Sequence, residues 1–349
     1  MISKKFVVRA GITAALAIGL QLPVQAQDIH FTQFNMSPLI VNPAFTGGFS
    51  GQYRVNAIYR NQWQSVTIPF VTYGVSVDAP IVHDLTTDDY LAAGIQLYND
   101  KAGDGNLTNF SGLVSVAYHK FLGAKVDKAL TVGIQGGYSQ KSIDLSKLYF
   151  GDEFIQGIWQ PGTSAEHPYL NNKVSYFTIN AGISFAHSIN ENIGYTVGAA
   201  AMNLNQPQES FQKKKNSEVG LGMRYAGQAG LIVYFNEKFS IRPGFLYQSQ
   251  ATTTEMIAGN EFHLIVGNPE FRNIATGVFL GGWYRSGDAI MINAGIEWKG
   301  FRFGVSYDYN TSDLKAASNG NGGFEISLRY IAPRAIDFAR QLVYPCSRF

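Results

Sequence analysis

The residues best suited to metal or proton chemistry are six histidines, His30, His83, His119, His167, His187 and His263. They are scattered, and none pairs with another at the spacing a metal site needs. Nucleophilic catalysis needs a hydroxyl or thiol beside a base. Ser111 and His119 share one segment but stand eight residues apart, and His187 lies at the end of another. No G-x-S-x-G elbow and no phosphate-binding loop occurs. No catalytic group, cofactor site or metal site is nominated, and the chain reads as a non-enzyme.

The carboxylates lead to the same place. Asp88-Asp89 and Asp152-Glu153 read as solvated loop charges rather than an acid–base pair. Gly151-Asp152-Glu153-Phe154 resembles the cyclic-dinucleotide cyclase signature, but Phe150 stands where that signature has glycine and no α/β context surrounds it; a turn is the simpler reading. Lys213-Lys214-Lys215 reads as a solvated run or a contact for an acidic partner. A different set, Arg54, Arg60, Arg302, Arg329, Glu297, Asp308 and Glu325, falls on the polar faces of alternating segments. They form ion-pair networks inside a barrel, or some of them hold a bound segment or a substrate chain.

The elements that carry these charges repeat with period two. In QYRVNAIYRNQW, Val55, Ala57 and Tyr59 face one way, with Tyr53 and Trp63 at the ends; Arg54, Asn56, Arg60 and Gln62 face the other, and Ile58 breaks the pattern. FVTYGVSVD, AIMINAGIEWKG, FRFGVSYDYN and FEISLRY repeat it. Such segments have the roughly 9–11 residues that a tilted strand needs to cross a bilayer, where soluble strands average about 5–6. Aromatic ends and one uncharged face suit lipid. An open sheet edge in lipid leaves amides unpaired, so the sheet must close. The expected fold is all-β: a transmembrane antiparallel barrel of about 14 strands, starting near residues 52, 70, 90, 108, 128, 173, 192, 219, 237, 253, 275, 289, 300 and 322. An even count puts both termini on the periplasmic side. Short connections after even-numbered strands, and long ones near 140–172, 203–218 and 311–321, agree. Pro243 is awkward inside a strand, and residues 219–236 fit one strand or two with a turn near Gly227.

Composition agrees with a barrel. Charged residues make up 15% and hydrophobic ones 46%, with 19 Tyr and 24 Phe. Lys4, Lys5 and Arg9, a short apolar run and Val24-Gln25-Ala26 read as a signal peptide over residues 1–26. Gln27 follows the expected cut, so no lipid-attachment cysteine is present. The remainder is close to neutral, which gives no reason to expect nucleic acid. A single cysteine, Cys346, excludes an internal disulfide. Beyond the leader, three regions are expected: a non-strand segment over 27–51, the barrel over 52–331 and a periplasmic tail over 332–349. In the first of these, FTQFNMSPLIVNPAFTGG is greasy yet broken by Pro38 and Pro43. It cannot be a lipid-facing strand. It either plugs the barrel, with Asn42-Pro43 shaping a turn and Gly47-Gly48 leading into the first strand, or caps its periplasmic mouth.

QDIHFTQFNMSPLIVNPAFTG followed by YRVNAIYRNQW resembles the opening of the PorP/SprF family of outer-membrane proteins. GVSYDYNTSDL, GNGGFEISLRY and the ending Cys346-Ser347-Arg348-Phe349 resemble its closing strands and tail; Ser347 stands where the family often has proline. The matching positions include Asn42, Pro43, Gly47, Arg54, Arg60, Trp63, Tyr307, Asp308, Gly323, Phe324, Glu325, Cys346, Arg348 and Phe349. The resemblance implies an accessory barrel of the type IX secretion system in the outer membrane of a Gram-negative bacterium. It would support export and surface attachment of a cargo, such as a gliding-motility adhesin, by holding the cargo's C-terminal signal domain. The implied partners are that cargo, other type IX secretion components and outer-membrane lipid, with no nucleic acid. The alternative is an outer-membrane pore for a small solute. An outer-membrane lipid hydrolase lacks its nucleophile–base pair, and a soluble β-sandwich adhesin would not need such long strands.

Overall fold

The computed structural model describes residues 29–333, apart from 67, 84, 87, 88, 124–126, 214–219, 268–274 and 314. The strands are β1 (Arg54–Gln62), β2 (Phe70–His83), β3 (Asp89–Ala102), β4 (Leu107–Leu122), β5 (Lys128–Ser142), β6 (Phe154–Ile155), β7 (Ile158–Trp159), β8 (Lys173–Ser188), β9 (Ile193–Met202), β10 (Arg224–Tyr234), β11 (Phe239–Gln250), β12 (Thr253–Ile265), β13 (Gly277–Arg285), β14 (Ala289–Trp298), β15 (Phe301–Asn310) and β16 (Asn321–Ile331). All but β6 and β7 form one closed antiparallel barrel of fourteen strands, and that short pair makes a separate hairpin in the loop between β5 and β8. Closure comes from β1 pairing with β16, from Arg54 opposite Ile331 to Gln62 opposite Gly323. Every strand of the barrel therefore has two neighbours, as a lipid-facing sheet requires.

The outer wall is apolar: Val75, Val77, Ile95, Ile134, Ile292 and Ile296 are all exposed. Aromatic rings gather at the end where β1 begins and β16 finishes, here called the terminal end. Tyr53 lies 6.0 Å from Tyr330, and Tyr330 stacks on Phe301 at 4.4 Å. Tyr59 and Tyr73, 5.1 Å apart, lie toward the opposite end. Such belts suit the two interfaces of a bilayer. Among the described residues no helix is long and apolar enough to cross a membrane.

The strand expected from residue 219 is the continuous β10, and no turn forms at Gly227. Pro243 sits within β11, opposite Asn260 of β12. On its other side the ladder to β10 opens between the Gly230–Gly244 and Val233–Ile241 pairs, so the missing N–H faces no ladder acceptor. The long connections, 143–172 and 203–223, lie at the end opposite the termini, but so do the tight turns 251–252 and 286–288. At the terminal end, residues 266–276 are an exception to the expected short turns.

Ile292 is 58% exposed and Asn293 2%. Ile292→Arg places a charge in the lipid-facing band and is expected to cost about 2–4 kcal/mol, read from urea midpoints in lipid vesicles, with Ile292→Leu near wild type. The neighbouring Asn293→Arg is not the mild change that a roomy polar face would allow. Asn293 donates to Glu261 Oε1 at 2.6 Å and accepts from Trp283 Nε1 at 3.2 Å. The lumen there is packed.

Candidate functional site: the lumen

What packs it is the chain's own segment before β1. Phe31, Phe34, Met36, Leu39, Val41, Ala44, Phe45 and Phe49 are all buried. The two prolines that break the apolar run begin short turns: Pro38 opens one helical turn, Pro38–Val41, and Pro43 opens a 3₁₀ turn, Pro43–Phe45. Proline fits there because its missing N–H would have no helical partner. Asn42 Oδ1 caps the second turn by accepting from Ala44 N at 2.8 Å. Gly47, with φ +70°, ends it in the left-handed region.

The barrel wall is shaped to receive this segment. Ile58, which breaks the alternation of β1, points inward and packs with Phe31 and Met36. Leu246, Ile257, Trp283, Ala289 and Met291 form an apolar patch inside the barrel, around Phe34, Val41 and Phe45. Phe34 meets the Trp283 ring edge-on at 5.3 Å. Burying each such large side chain contributes roughly 1.5–3 kcal/mol. Opposite, glycines make room. A Cβ on Gly133 would come within 2.5 Å of the Pro43–Ala44 backbone, and one on Gly182 within 1.9 Å of Asn42 Oδ1. Asn42 instead donates across that gap to the carbonyls of Ile183 and Ala199, at 3.1 and 3.3 Å.

Three charged clusters fasten it. In the first, Arg60 donates to Glu325 at 2.5 Å and to Asp308 at 2.9 Å. Glu325 accepts the backbone N–H groups of Thr32 and Gln33 at 2.6 and 2.9 Å, and Thr32 Oγ1 donates to Asp308 at 2.5 Å. Ser327 donates to Gln33 Oε1 at 2.7 Å. In the second, Arg302 pairs with Glu261 at 2.7 Å and Glu297 at 3.2 Å, and Glu261 also accepts from Asn35 at 3.2 Å. In the third, at the terminal end, Arg54 pairs with Asp78 at 2.7 Å and donates to Phe45 O at 2.9 Å, while Gly47 N donates to Asp78 at 2.7 Å. Arg329 donates to the carbonyl of Asn35 and to Asn56 Oδ1. The two readings of the inward charges are thus one arrangement, in which the ion-pair networks also hold a segment.

The residues singled out from sequence divide accordingly. Arg54, Arg60, Asp308 and Glu325 line the lumen with Asn42, Pro43 and Gly47. Gly323 adjoins Arg60, where a Cβ would stand 3.2 Å from Nη2. Trp63 is at the rim, its backbone N–H donating to Gly322 O at 2.8 Å. Tyr307 and Phe324 face outward and are exposed. Cys346, Arg348, Phe349, the leader and most of the tail lie outside the described residues, as do Asp88, Lys214 and Lys215. Ser111 and His119 do not meet: Ser111 hydrogen-bonds Ser139 at 2.7 Å, and His119 contacts Thr46 O at 2.7 Å. Among the described residues no cluster could hold a metal ion. Sequence reasoning missed the inward Leu246, Ile257, Trp283 and Met291; their apolar character, on a face otherwise polar, was the available signal.

Asp152 and Glu153 lie in the loop 143–172 and organise it. Burial pushes the Glu153 carboxyl up, but the N–H groups of Phe150 and Gly162 and the His167 ring outweigh it and hold it below its ordinary value. Asp152 is lowered by the Ala165 N–H and Ser164 hydroxyl. With folded values below unfolded ones, this stabilisation is present above the ordinary carboxylate pKa of about 4 and is lost as pH falls through the folded values. Hydrogen–deuterium exchange, corrected for its intrinsic pH dependence, should show residues 150–166 protected at pH 5 and exchanging freely near pH 2, while the barrel strands stay protected.

The closed wall, aromatic belts and charged lumen define an outer-membrane β-barrel. Residues 24–330 match the family described as type IX secretion system membrane protein PorP/SprF, and the chain belongs to that family. No curated protein sequence matches it. Solved barrels of similar shape include the CymD monoaromatic hydrocarbon channel, at 8% identity over 86% of this chain and 93% of that one with a TM-score of 0.48. The Ralstonia pickettii toluene transporter TbuX is 9% identical over 85% of this chain and 93% of that one, with a TM-score of 0.43. Neither likeness bears on what this barrel carries.

Proposed function

We propose that this type IX secretion barrel is an accessory protein that supports export and surface attachment of a partner by holding its C-terminal signal domain. In this reading the terminal end faces the periplasm, and the loops 143–172 and 203–223 face outward. The observation that carries it is the fastened inner segment. A small-solute pore needs a continuous polar lumen, and here residues 31–49 are packed across the lumen, from Arg54 and Asp78 near the terminal end to Trp283, Ala289 and Met291 toward the other. The barrel is then a closed platform, and its work is done by contact. A tagged pull-down from detergent-solubilised native envelope, read by mass spectrometry, should enrich a large secreted protein through its C-terminal domain. Recovery of no such protein, even after cross-linking in cells, overturns the reading and returns the choice to a pore.

A further inference from the structure

The inner segment leaves a cavity of about 1000 Å³ at the opposite end of the barrel. It reaches the rim beside Gly103, Ser286 and Ser312 and is floored by Ile29, His30 and Ile40 of the inner segment. Its size is at the upper end of ligand pockets, about 300–1,000 Å³.

The lining has a particular chemistry. Its charged groups are already engaged: Asp100 accepts from Thr72 at 2.6 Å, Arg285 pairs with Asp288 at 3.1 Å, and Lys141 pairs with Glu209. The groups with spare capacity are neutral. Gln96 lines the cavity and is 2% exposed, yet among the described residues neither atom of its carboxamide has a hydrogen-bond partner. The same holds for Asn109 Oδ1 and Trp63 Nε1. These atoms are themselves covered, and a buried amide with no partner costs about 1–3 kcal/mol, so a turn of these side chains toward an occupant of the cavity is favoured. An ionic ligand would have to break existing pairs; a neutral one that both donates and accepts would not.

The barrel already shows which neutral ligand its wall suits. At the cavity floor Gln135 donates to Leu39 O at 3.3 Å and Arg224 to Ile40 O at 3.1 Å, so side chains of the wall bind main-chain carbonyls of a peptide. Gln96, Asn109 and Trp63 offer the same kind of donor and acceptor higher up. Apolar neighbours such as Leu113 and Met202 can take its side chains. We propose that this cavity is a seat for an extended, uncharged peptide segment of a partner protein. The proposal rests on the accessory-barrel reading, in which that segment belongs to the cargo's C-terminal signal domain.

The probe is the isolated, fluorescently labelled C-terminal signal domain of the protein recovered in the pull-down, titrated onto the full-length barrel in detergent. Gln96→Leu should weaken binding roughly five- to tenfold, the worth of a hydrogen bond or two. Gln96→Trp, which fills the seat, should weaken it more than tenfold. Asn109→Leu serves as an independent variant, and heat-modifiable gel migration verifies that each barrel is folded. A photo-cross-linker at Tyr98, a cavity residue, should attach to one segment of the domain, whereas one at Trp159 in the outer hairpin should not. If the domain binds wild type and all folded variants equally, or cross-links only from Trp159, the cavity proposal is overturned and the accessory reading stands. If wild type does not bind the domain at all, both fall.

Discussion

Glu325→Ala destabilises the barrel by about 3–5 kcal/mol, the range expected when one partner of a buried ion pair is removed. Glu325 is fully buried and serves four donors: the Arg60 guanidinium, the backbone N–H groups of Thr32 and Gln33, and the Ser306 hydroxyl. Alanine leaves all four without that acceptor, and Arg60 keeps Asp308 as its carboxylate partner. Glu325→Gln retains an acceptor oxygen and loses the charge, so its cost should fall between alanine and wild type. Tyr307→Ala, on the lipid face of the next strand, removes surface area without stranding a charge and should cost less than either. Urea midpoints in lipid vesicles, followed by tryptophan fluorescence, give the order. Equal effects of Glu325→Ala and Tyr307→Ala would mean that the buried cluster does not hold the fold.

The second large effect is on permeability. The double variant Gly133→Val/Gly182→Val places side chains where the inner segment runs. At Gly133 the obstacle is the backbone of Pro43–Ala44, which cannot turn aside, and at Gly182 it is the pinned Asn42 carboxamide. Overpacking of this kind costs typically 1–3 kcal/mol per site, and expelling the segment relieves it without breaking the barrel ladder. Wild-type protein in planar bilayers should be silent or nearly so, and the double variant should show stable channels at least tenfold more conductive. A conducting wild type, or a folded but silent variant, would show that the segment is not what closes the lumen. Conversely, Gln33→Cys/Ser327→Cys, at a contact of 2.7 Å between side chains, should cross-link the segment in place and keep the barrel closed under mild denaturant.

The strands were legible because lipid on one side and a polar lumen on the other impose a period of two. Thirteen of the fourteen expected starts lie close to the observed ones, and the late start of β10 is the main displacement. The face of each charged residue in β1, β15 and β16 was legible for the same reason. The seat was not. Ile58 looked like an error in the pattern because its partners, Phe31 and Met36, come from a segment with no periodicity. The inward patch of Leu246, Ile257, Trp283 and Met291 is apolar for the same cause. Residues that pair across the closure, such as Arg60 and Glu325, are 265 apart in sequence, and nothing local announces them.

That separation also sets an order of events during biogenesis. The acceptors for Thr32 and Gln33 reside on the last two strands of the barrel, β15 and β16. The inner segment therefore cannot settle until β15 and β16 are in place, and a barrel missing that final hairpin holds Arg60 with neither carboxylate. Such a chain would be left with an unfastened inner segment, so the knot around Arg60 ties the settling of that segment to closure of the barrel.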